Sequence, residues 1–166
     1  MDLLLLRHGK AEDFHKDGDG ARALLPKGVA QARKAGLLLA SAKWLPEIVL
    51  TSPLVRARET AEEFCAAAGL PGPVLQSWLS CGCHPETLAK EMAAFRDFKC
   101  AMVVGHEPDL SQFIQWAVGG HGGGVEMKKG AVACLRINPP ARSATLRFLI
   151  PPKPVAAAFY AAAENG

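Results

Sequence analysis

The sequence predicts an α/β fold, a three-layer sandwich in which helices flank a mostly parallel central sheet. Fully apolar runs at residues 3–6 and 101–104 have the length and composition of strands that are buried on both faces. Such runs alternate with longer segments whose apolar residues recur at helical spacing. The 166 residues, 49% of them hydrophobic, can form a substantial core, so we expect a single domain over residues 1–166.

Two strands and two helices are expected in the first part of the chain. Pro26 suits the first turn of a helix, whereas Ser52 is a suitable N-cap and Gly69 a suitable stop for the next one. The expected elements are strand 3–7, a charged loop at 10–25, helix 26–42 with Val29, Ala32, Gly36 and Leu39 on one face, strand 47–52 and helix 52–69.

The same alternation continues through the rest of the chain. The expected elements are strand 73–78, helix 84–95, strand 100–105, helix 107–120, a glycine-rich loop at 119–124 and two late strands at 131–137 and 144–150. Prolines at 151, 152 and 154 end the last strand, and the alanine-rich tail after them is expected to form a closing helix.

Composition and charge narrow the class of protein. A net charge of +3 without a long basic run gives no indication of nucleic-acid binding. No segment has the length of a membrane span, and the leucine run lacks the basic leader and cleavage site of a secretory signal. Five cysteines are an odd number and lie in apolar surroundings, which is typical of reduced thiols. We therefore expect a soluble, cytoplasmic protein without a nucleic-acid or membrane partner.

Arginine and histidine side chains follow three of the predicted strands. Arg7 and His8 end the first strand, and Arg56 lies in the first turn of the helix after the second. His106 follows the strand at 100–105. Because ligands bind outside the carboxyl ends of parallel strands, these four side chains are expected to meet in one crevice.

Phosphoryl transfer is the chemistry that these side chains suit. Guanidinium groups present forked donors that match phosphate oxygens, and a neutral imidazole has a lone pair that can attack phosphorus. Positive charge from Arg7 and Arg56 is also expected to lower the pKa of His8, which keeps the attacking nitrogen free at neutral pH.

Three segments carry a resemblance to a known family. "LRHGKAE", "TSPLVRARETA" and "VVGHEPDL" resemble, in this order, the signature segments of the histidine phosphatase superfamily. The resemblance implies a phosphoglycerate mutase-like fold and a catalytic His8 that becomes phosphorylated. It also implies that Arg7, Arg56 and His106 bind the phosphoryl group, and that neither a metal nor another cofactor is needed.

Within the superfamily, "RHGKAE" and "RALLPKGVAQA" are most similar to the SixA type of phosphohistidine phosphatase. That similarity implies a phosphohistidine-bearing signalling or phosphotransfer domain as partner. Mutases of the superfamily carry a glutamate general acid after the third strand, where "SWLSCGCHPETL" contains only Glu86. An alternative is therefore a phosphatase or mutase for small phosphate esters, and a third possibility is a phosphate-binding module without activity.

Other polar residues are weaker candidates for the functional site. Arg58 lies two positions from Arg56 and so on another helix face, where we expect a solvated charge. "CGCH" at residues 81–84 lacks the second ligand pair of a zinc site, and we expect no metal there. His15 lies in a charged loop that could border the pocket, whereas His121 lies in a glycine loop where we expect exposure to solvent. Lys10 and Lys16 could attract an acidic substrate or be merely solvated.

Overall fold

The computed structural model describes residues 1–120 and 123–154, and six strands in this part of the chain form one sheet. The strands are β1 (Asp2–Arg7), β2 (Ile48–Thr51), β3 (Val74–Leu75), β4 (Cys100–Gly105), β5 (Val132–Ile137) and β6 (Ala144–Ile150). The helices are α1 (Pro26–Ser41), α2 (Val55–Ala68), α3 (Pro85–Met92) and α4 (Asp109–Ala117), with short 3₁₀ turns at Asp19–Ala21, Ser77–Leu79 and Ala93–Phe95.

The sheet has the order β3-β2-β4-β1-β5-β6 and is mostly parallel, as predicted. β1, β2, β3 and β4 run parallel to their neighbours within this set. The two late strands differ, because β5 pairs antiparallel with β1 and β6 pairs antiparallel with β5. β1 and β4 therefore lie at the centre, and their carboxyl ends share one edge of the sheet.

Two apolar clusters, one on each face of the sheet, explain the run of four leucines. Leu3 and Leu5 pack into a cluster with Phe113 of α4, whereas Leu4 and Leu6 pack into a second cluster with Phe64 of α2. Alternate residues of a strand point to opposite faces, so a strand covered on both sides has apolar residues throughout. Each fully buried leucine contributes roughly 1.5–3 kcal/mol to folding. The expected three-layer α/β sandwich is confirmed.

Helices α1 and α2 form one outer layer and approach each other at a glycine. A Cβ on Gly36 would lie 2.6 Å from the carbonyl oxygen of Phe64, so the two backbones are in direct contact there. Ala32, Gly36 and Leu39 lie on the buried face as predicted. Val29 is only half-buried, and Gly28 and Ala35 occupy the remaining buried positions of this face.

Some predicted boundaries are wrong. α2 begins at Val55 with Leu54 as its N-cap, so Ser52 precedes the helix and does not cap it. Gly69 does end α2, with the left-handed φ of 69° that favours glycine. β3 is an exposed pair of residues at the edge of the sheet, not a strand over 73–78. The predicted tail helix and the central part of the glycine-rich loop, at 121–122, lie outside the described residues.

Two expectations from composition can be compared with the fold. No helix in residues 1–120 or 123–154 is long and apolar enough to cross a membrane. All five cysteines are free thiols, as expected.

Candidate active site

The structure brings the four predicted side chains together at the carboxyl edge of the sheet. Arg7 is the last residue of β1 and pairs in register with Gly105, the last residue of β4. His8 and His106 are therefore neighbours, with ring centroids 5.3 Å apart. Arg56 is the second residue of α2 and is 3% exposed.

The His8 ring is held in one orientation by a backbone contact. Its Nδ1 lies 2.8 Å from the carbonyl oxygen of Gly9, which can only accept a hydrogen bond, so Nδ1 carries the proton. The lone pair of the neutral ring is then on Nε2. The backbone N–H of Gly9 donates in turn to Oγ1 of Thr60 at 3.0 Å, and Thr60 Oγ1 donates to the carbonyl oxygen of Arg56 at 2.6 Å. These bonds connect the nucleophile candidate to the helix that carries Arg56.

A glycine after His8 is required by close backbone packing. A Cβ on Gly9 would lie 2.7 Å from the carbonyl oxygen of Gly28, in the first turn of α1. A Cβ on Gly28 would likewise collide with the carbonyl oxygen of Lys10. The two glycines allow the chain after β1 to pass directly against α1, which positions the His8 ring over the sheet edge.

Burial and charge keep His8 neutral. Its pKa is lowered to about 3, first by burial and then by the positive charge of neighbouring side chains, whereas the hydrogen bond to Gly9 acts in the opposite direction. The two arginines were expected from the sequence to be the cause. Burial of the side chain, which is 5% exposed, contributes more than either arginine. At neutral pH the Nε2 lone pair is therefore available.

His106 is held by Ser52 in the same tautomer as His8. Oγ of Ser52 accepts the backbone N–H of Leu54 at 3.2 Å and lies 2.9 Å from Nε2 of His106. The serine hydroxyl proton is free to donate to Nε2, so we assign the ring proton to Nδ1. The pKa of His106 is lowered to about 4, with burial as the largest cause and Arg56 as the next. Ser52, expected as a helix cap, instead orients this imidazole.

An acidic loop residue covers Arg56. Nη1 of Arg56 donates to the carbonyl oxygen of Asp19 at 2.8 Å, and Nη2 donates to the Asp19 carboxylate at 3.0 Å. Arg22 reaches the same carboxylate, with 3.1 Å between Nε and Oδ1. Asp19 and Arg22 were missed because residues 10–25 indicated only a charged loop. Their three-residue spacing is a weak signal that such a pair could act together.

Arg7 is anchored from the other side of the pocket. Its Nη1 donates to the carbonyl oxygen of Met127 at 2.6 Å. Burial lowers the pKa of the guanidinium, and the carboxylates of Glu107 and Glu126 act in the opposite direction. An arginine remains charged under these conditions, so the pocket keeps two guanidinium groups beside two neutral imidazoles.

Five buried side-chain nitrogens have no hydrogen-bond partner among the described residues. Two are Nε of Arg22 and Nε of Arg58, and three belong to the pocket: Nε of Arg7, Nε of Arg56 and Nδ1 of His106. Buried polar atoms are nearly always paired, so this set indicates a place for an acceptor. A tetrahedral oxyanion supplies several acceptor oxygens and a negative charge at once. The arrangement can hold a phosphoryl group against the free nitrogen of His8.

The remaining candidates lie apart from this cluster. Arg58 is solvated as predicted, with a side chain that is 44% exposed and 3.6 Å from the Glu62 carboxylate. Glu86 is an exposed residue in the first turn of α3. Among the described residues no group of three or more histidine, cysteine or acidic side chains could hold a metal ion.

The other loop residues have different locations. Lys10 lies beside Arg7 in a groove next to the pocket, and Lys16 is exposed. His15 contacts Asp17, with 3.6 Å between Nδ1 and the carboxylate. His121 lies outside the described residues. The segment at residues 81–84 is positioned by Asp109, whose carboxylate accepts the backbone N–H groups of Gly82 and Cys83.

Comparisons with known proteins identify the family of this chain. The sequence model of the histidine phosphatase superfamily (branch 1) matches residues 3–78. An uncharacterized protein of Picosynechococcus sp. is 36% identical over 143 residues, which are 82% of this chain and 85% of that protein. A 2,3-bisphosphoglycerate-dependent phosphoglycerate mutase of Leifsonia xyli is 42% identical over 80 residues, which are 46% of this chain and 32% of the mutase.

Similarity of fold extends over nearly the whole chain. The structure of the protein histidine phosphatase SixA complexed with tungstate superposes with a TM-score of 0.84 at 22% identity, covering 93% of this chain and 99% of that one. The family match begins at β1 and includes Arg7, His8 and Arg56. The chain belongs to the histidine phosphatase superfamily.

Proposed function

We propose that this chain is a metal-independent phosphatase that forms a covalent phosphohistidine at His8 and acts on phosphohistidine carried by a protein. The hydrogen bond from Nδ1 of His8 to the carbonyl oxygen of Gly9 carries the proposal, because it leaves the Nε2 lone pair free beside two arginines. A neutral, oriented imidazole is a nucleophile at physiological pH.

In the first step, the Nε2 lone pair of His8 forms a bond to phosphorus while the P–N bond of the substrate breaks. The electron pair of the broken bond goes to the departing ring nitrogen. Arg7 and Arg56 bind the phosphoryl oxygens, whose charge the guanidinium groups stabilise during transfer, and Nδ1–H of His106 donates to a third oxygen.

In the second step, water attacks the phosphorus of phosphorylated His8. The bond between Nε2 and phosphorus breaks, its electron pair returns to Nε2, and a water proton passes to solvent. Inorganic phosphate leaves, and the neutral tautomer of His8 is restored because Nδ1 keeps its proton and its contact with Gly9. The bond from Nδ1 holds the ring in the same orientation through both steps.

The choice of substrate rests on proton donation. A phosphorylated alcohol leaves as an alkoxide and needs a matched acid. A phosphohistidine ring that is protonated on its second nitrogen leaves as neutral imidazole and needs none. Glu86, the carboxylate in the segment where mutases of the superfamily carry an acid, is exposed on α3. The likeness of fold to a protein histidine phosphatase supports the same choice.

A second candidate is a phosphatase or mutase for small phosphate esters. The Asp19 carboxylate lies 3.0 Å from Nη2 of Arg56, and the Glu107 carboxylate influences Arg7, so an acid could reach a leaving group from either side. The identity with a phosphoglycerate mutase over 80 residues also favours this candidate.

Rapid quenching with a ³²P-labelled phosphohistidine domain tests the proposed function. During turnover, label that is stable to alkali and labile to acid should move to this chain, which is separated from the substrate by size. His8→Ala should abolish both label and turnover, and His84→Ala, which replaces an exposed histidine that is not one of the four pocket residues, serves as the matched control. Label on a cysteine or aspartate, or full activity of His8→Ala, would contradict the mechanism.

Relative rates distinguish the two substrate classes. The wild-type chain should hydrolyse a phosphohistidine domain faster than phosphoserine, phosphoglycerate and sugar phosphates at equal concentration. Faster turnover of phosphoglycerate, together with collapse of that activity in Asp19→Asn or Glu107→Gln, would establish the small-ester function instead.

A further inference from the structure

A basic groove of about 850 Å³ opens directly beside the phosphate pocket and shares Arg7 with it. Of the charged side chains that line it within the described residues, Glu126 is the single carboxylate. We call this feature the lysine groove; its lysines are Lys10, Lys27, Lys34, Lys128, Lys129 and Lys153. A chain with a net charge of only +3 thus concentrates positive charge next to its candidate nucleophile.

The backbone that carries these lysines is fixed to the pocket. Gly130 donates its N–H to the carbonyl oxygens of Arg7 and His8, at 3.1 and 3.2 Å. Gln31 connects two lysine-bearing segments, since its Oε1 accepts the N–H of Lys10 at 2.9 Å and its Nε2 donates to the carbonyl oxygen of Lys129 at 3.0 Å. The segments around Lys10 and Lys129 are therefore positioned by the same contacts that position the pocket.

The charges in the groove repel one another. Burial lowers the pKa of Lys129, and the neighbouring charges of Lys10 and Arg7 lower it further. Among the residues that the structure describes, Lys10 pairs with the carboxylate of Asp13 at 3.3 Å on the surface. Negatively charged groups that enter the groove would relieve this repulsion. The positive charge of the groove would also raise the local concentration of an anionic substrate.

The shape of the surroundings favours a protein as occupant. The lysines come from four segments of the chain, Pro151, Pro152 and Pro154 also line the groove, and its volume of about 850 Å³ is larger than a single small anion needs. Phe14, next to the Asp13 that pairs with Lys10, is 80% exposed, and exposed aromatic side chains are enriched in protein interfaces.

We propose that the lysine groove binds acidic side chains of the protein substrate that lie beside its phosphohistidine. The inference rests on the proposed function and specifies the partner: a phosphohistidine on a surface with several Asp or Glu residues. The groove contributes mainly to association, because charges at the rim of an interface steer encounter and fix orientation.

Paired substrates and paired variants test this proposal. One phosphohistidine peptide has glutamates flanking the phosphorylated residue and the other has glutamines, and kcat/KM is measured for both. The groove variant Lys27→Gln/Lys128→Gln removes two charges on different segments. The control Lys43→Gln/Lys99→Gln removes two exposed lysines that precede β2 and β4, at the opposite end of the sheet.

The wild-type chain should prefer the acidic peptide, and the preference should fall about twofold to thirtyfold in the groove variant, since each of the two exposed pairs that it removes contributes about 0.2–1 kcal/mol. KM should carry the change while kcat stays similar. The control variant should keep the wild-type preference. Raising the salt concentration should weaken the preference of the wild type more than that of the groove variant, because exposed charges are screened.

Two results would overturn the proposal while leaving the proposed function intact: equal kcat/KM for both peptides in the wild type, or an equal loss of preference in groove and control variants. A third result would replace the proposed occupant by a small polyanion. In that case pyrophosphate would inhibit the wild type competitively, and the groove variant would lose this inhibition but keep the wild-type preference for the acidic peptide. Failure to hydrolyse either peptide would instead refute the proposed function itself.

Discussion

Acidification should destabilise this protein through its two pocket histidines. The pKa is lowered from 6.5 to about 3 for His8 and to about 4 for His106. Between pH 6.5 and these values the unfolded chain binds protons that the folded chain does not, so the free energy of unfolding decreases as the pH falls. The stability that the two neutral rings contribute is constant above pH 6.5 and is progressively lost toward pH 4 for His106 and toward pH 3 for His8.

The size of the effect follows from the two shifts. Each pH unit within this window costs about 1.4 kcal/mol per histidine, so at pH 5 the loss is about 2 kcal/mol for each ring and about 4 kcal/mol for the pair. A domain of this size is stable by roughly 5–15 kcal/mol, which makes the loss measurable by denaturant titration.

The assay compares how much unfolding free energy is lost between pH 7 and pH 5 in the wild type and in His8→Asn. Asparagine keeps a donor for the Gly9 carbonyl but does not titrate, so the loss should shrink by about 2 kcal/mol. His84→Asn, at an exposed position, is the control and should show the wild-type loss. Buffers must lack phosphate and sulfate, because an oxyanion would bind the folded state. An identical loss in the wild type and His8→Asn would refute the reasoning.

Four further predictions concern the pocket. Arg56→Ala should lower kcat by at least about a hundredfold, as does removal of an oxyanion donor, whereas Arg58→Ala should be mild in the same assay. Glu86→Gln should leave phosphohistidine turnover within about twofold of wild type in initial-rate measurements, because the leaving imidazole needs no strong acid. Vanadate should inhibit competitively and EDTA should not, and activity that is lost to EDTA and restored by zinc or magnesium would contradict a metal-independent mechanism. Gly28→Ala should lower the free energy of unfolding by about 1–3 kcal/mol, since its Cβ would collide with backbone, whereas Gly72→Ala at an open position should not.

The sequence by itself determined the alternation of strands and helices and the four candidate site residues. Buried strands such as β1 and β4 are recognisable because a strand covered on both faces must be apolar throughout, a local property of consecutive residues. Arg7, His8, Arg56 and His106 are recognisable because each follows a strand or begins the helix after one. In a parallel sheet such positions share one edge, so their proximity can be inferred without coordinates.

Only the tertiary structure decided how those residues are oriented and what else surrounds them. The contact of Asp19 with Arg56 joins residues 37 positions apart, and the bond from Arg7 to Met127 joins residues 120 positions apart. The role of Ser52 depends on His106, 54 positions away, and the lysine groove combines four separate segments of the chain. No periodicity or local motif encodes such contacts, because they form only when distant segments pack against the same sheet edge. The tautomers, the burial that is the main cause of the two lowered pKa values, and the groove therefore follow from the assembled fold.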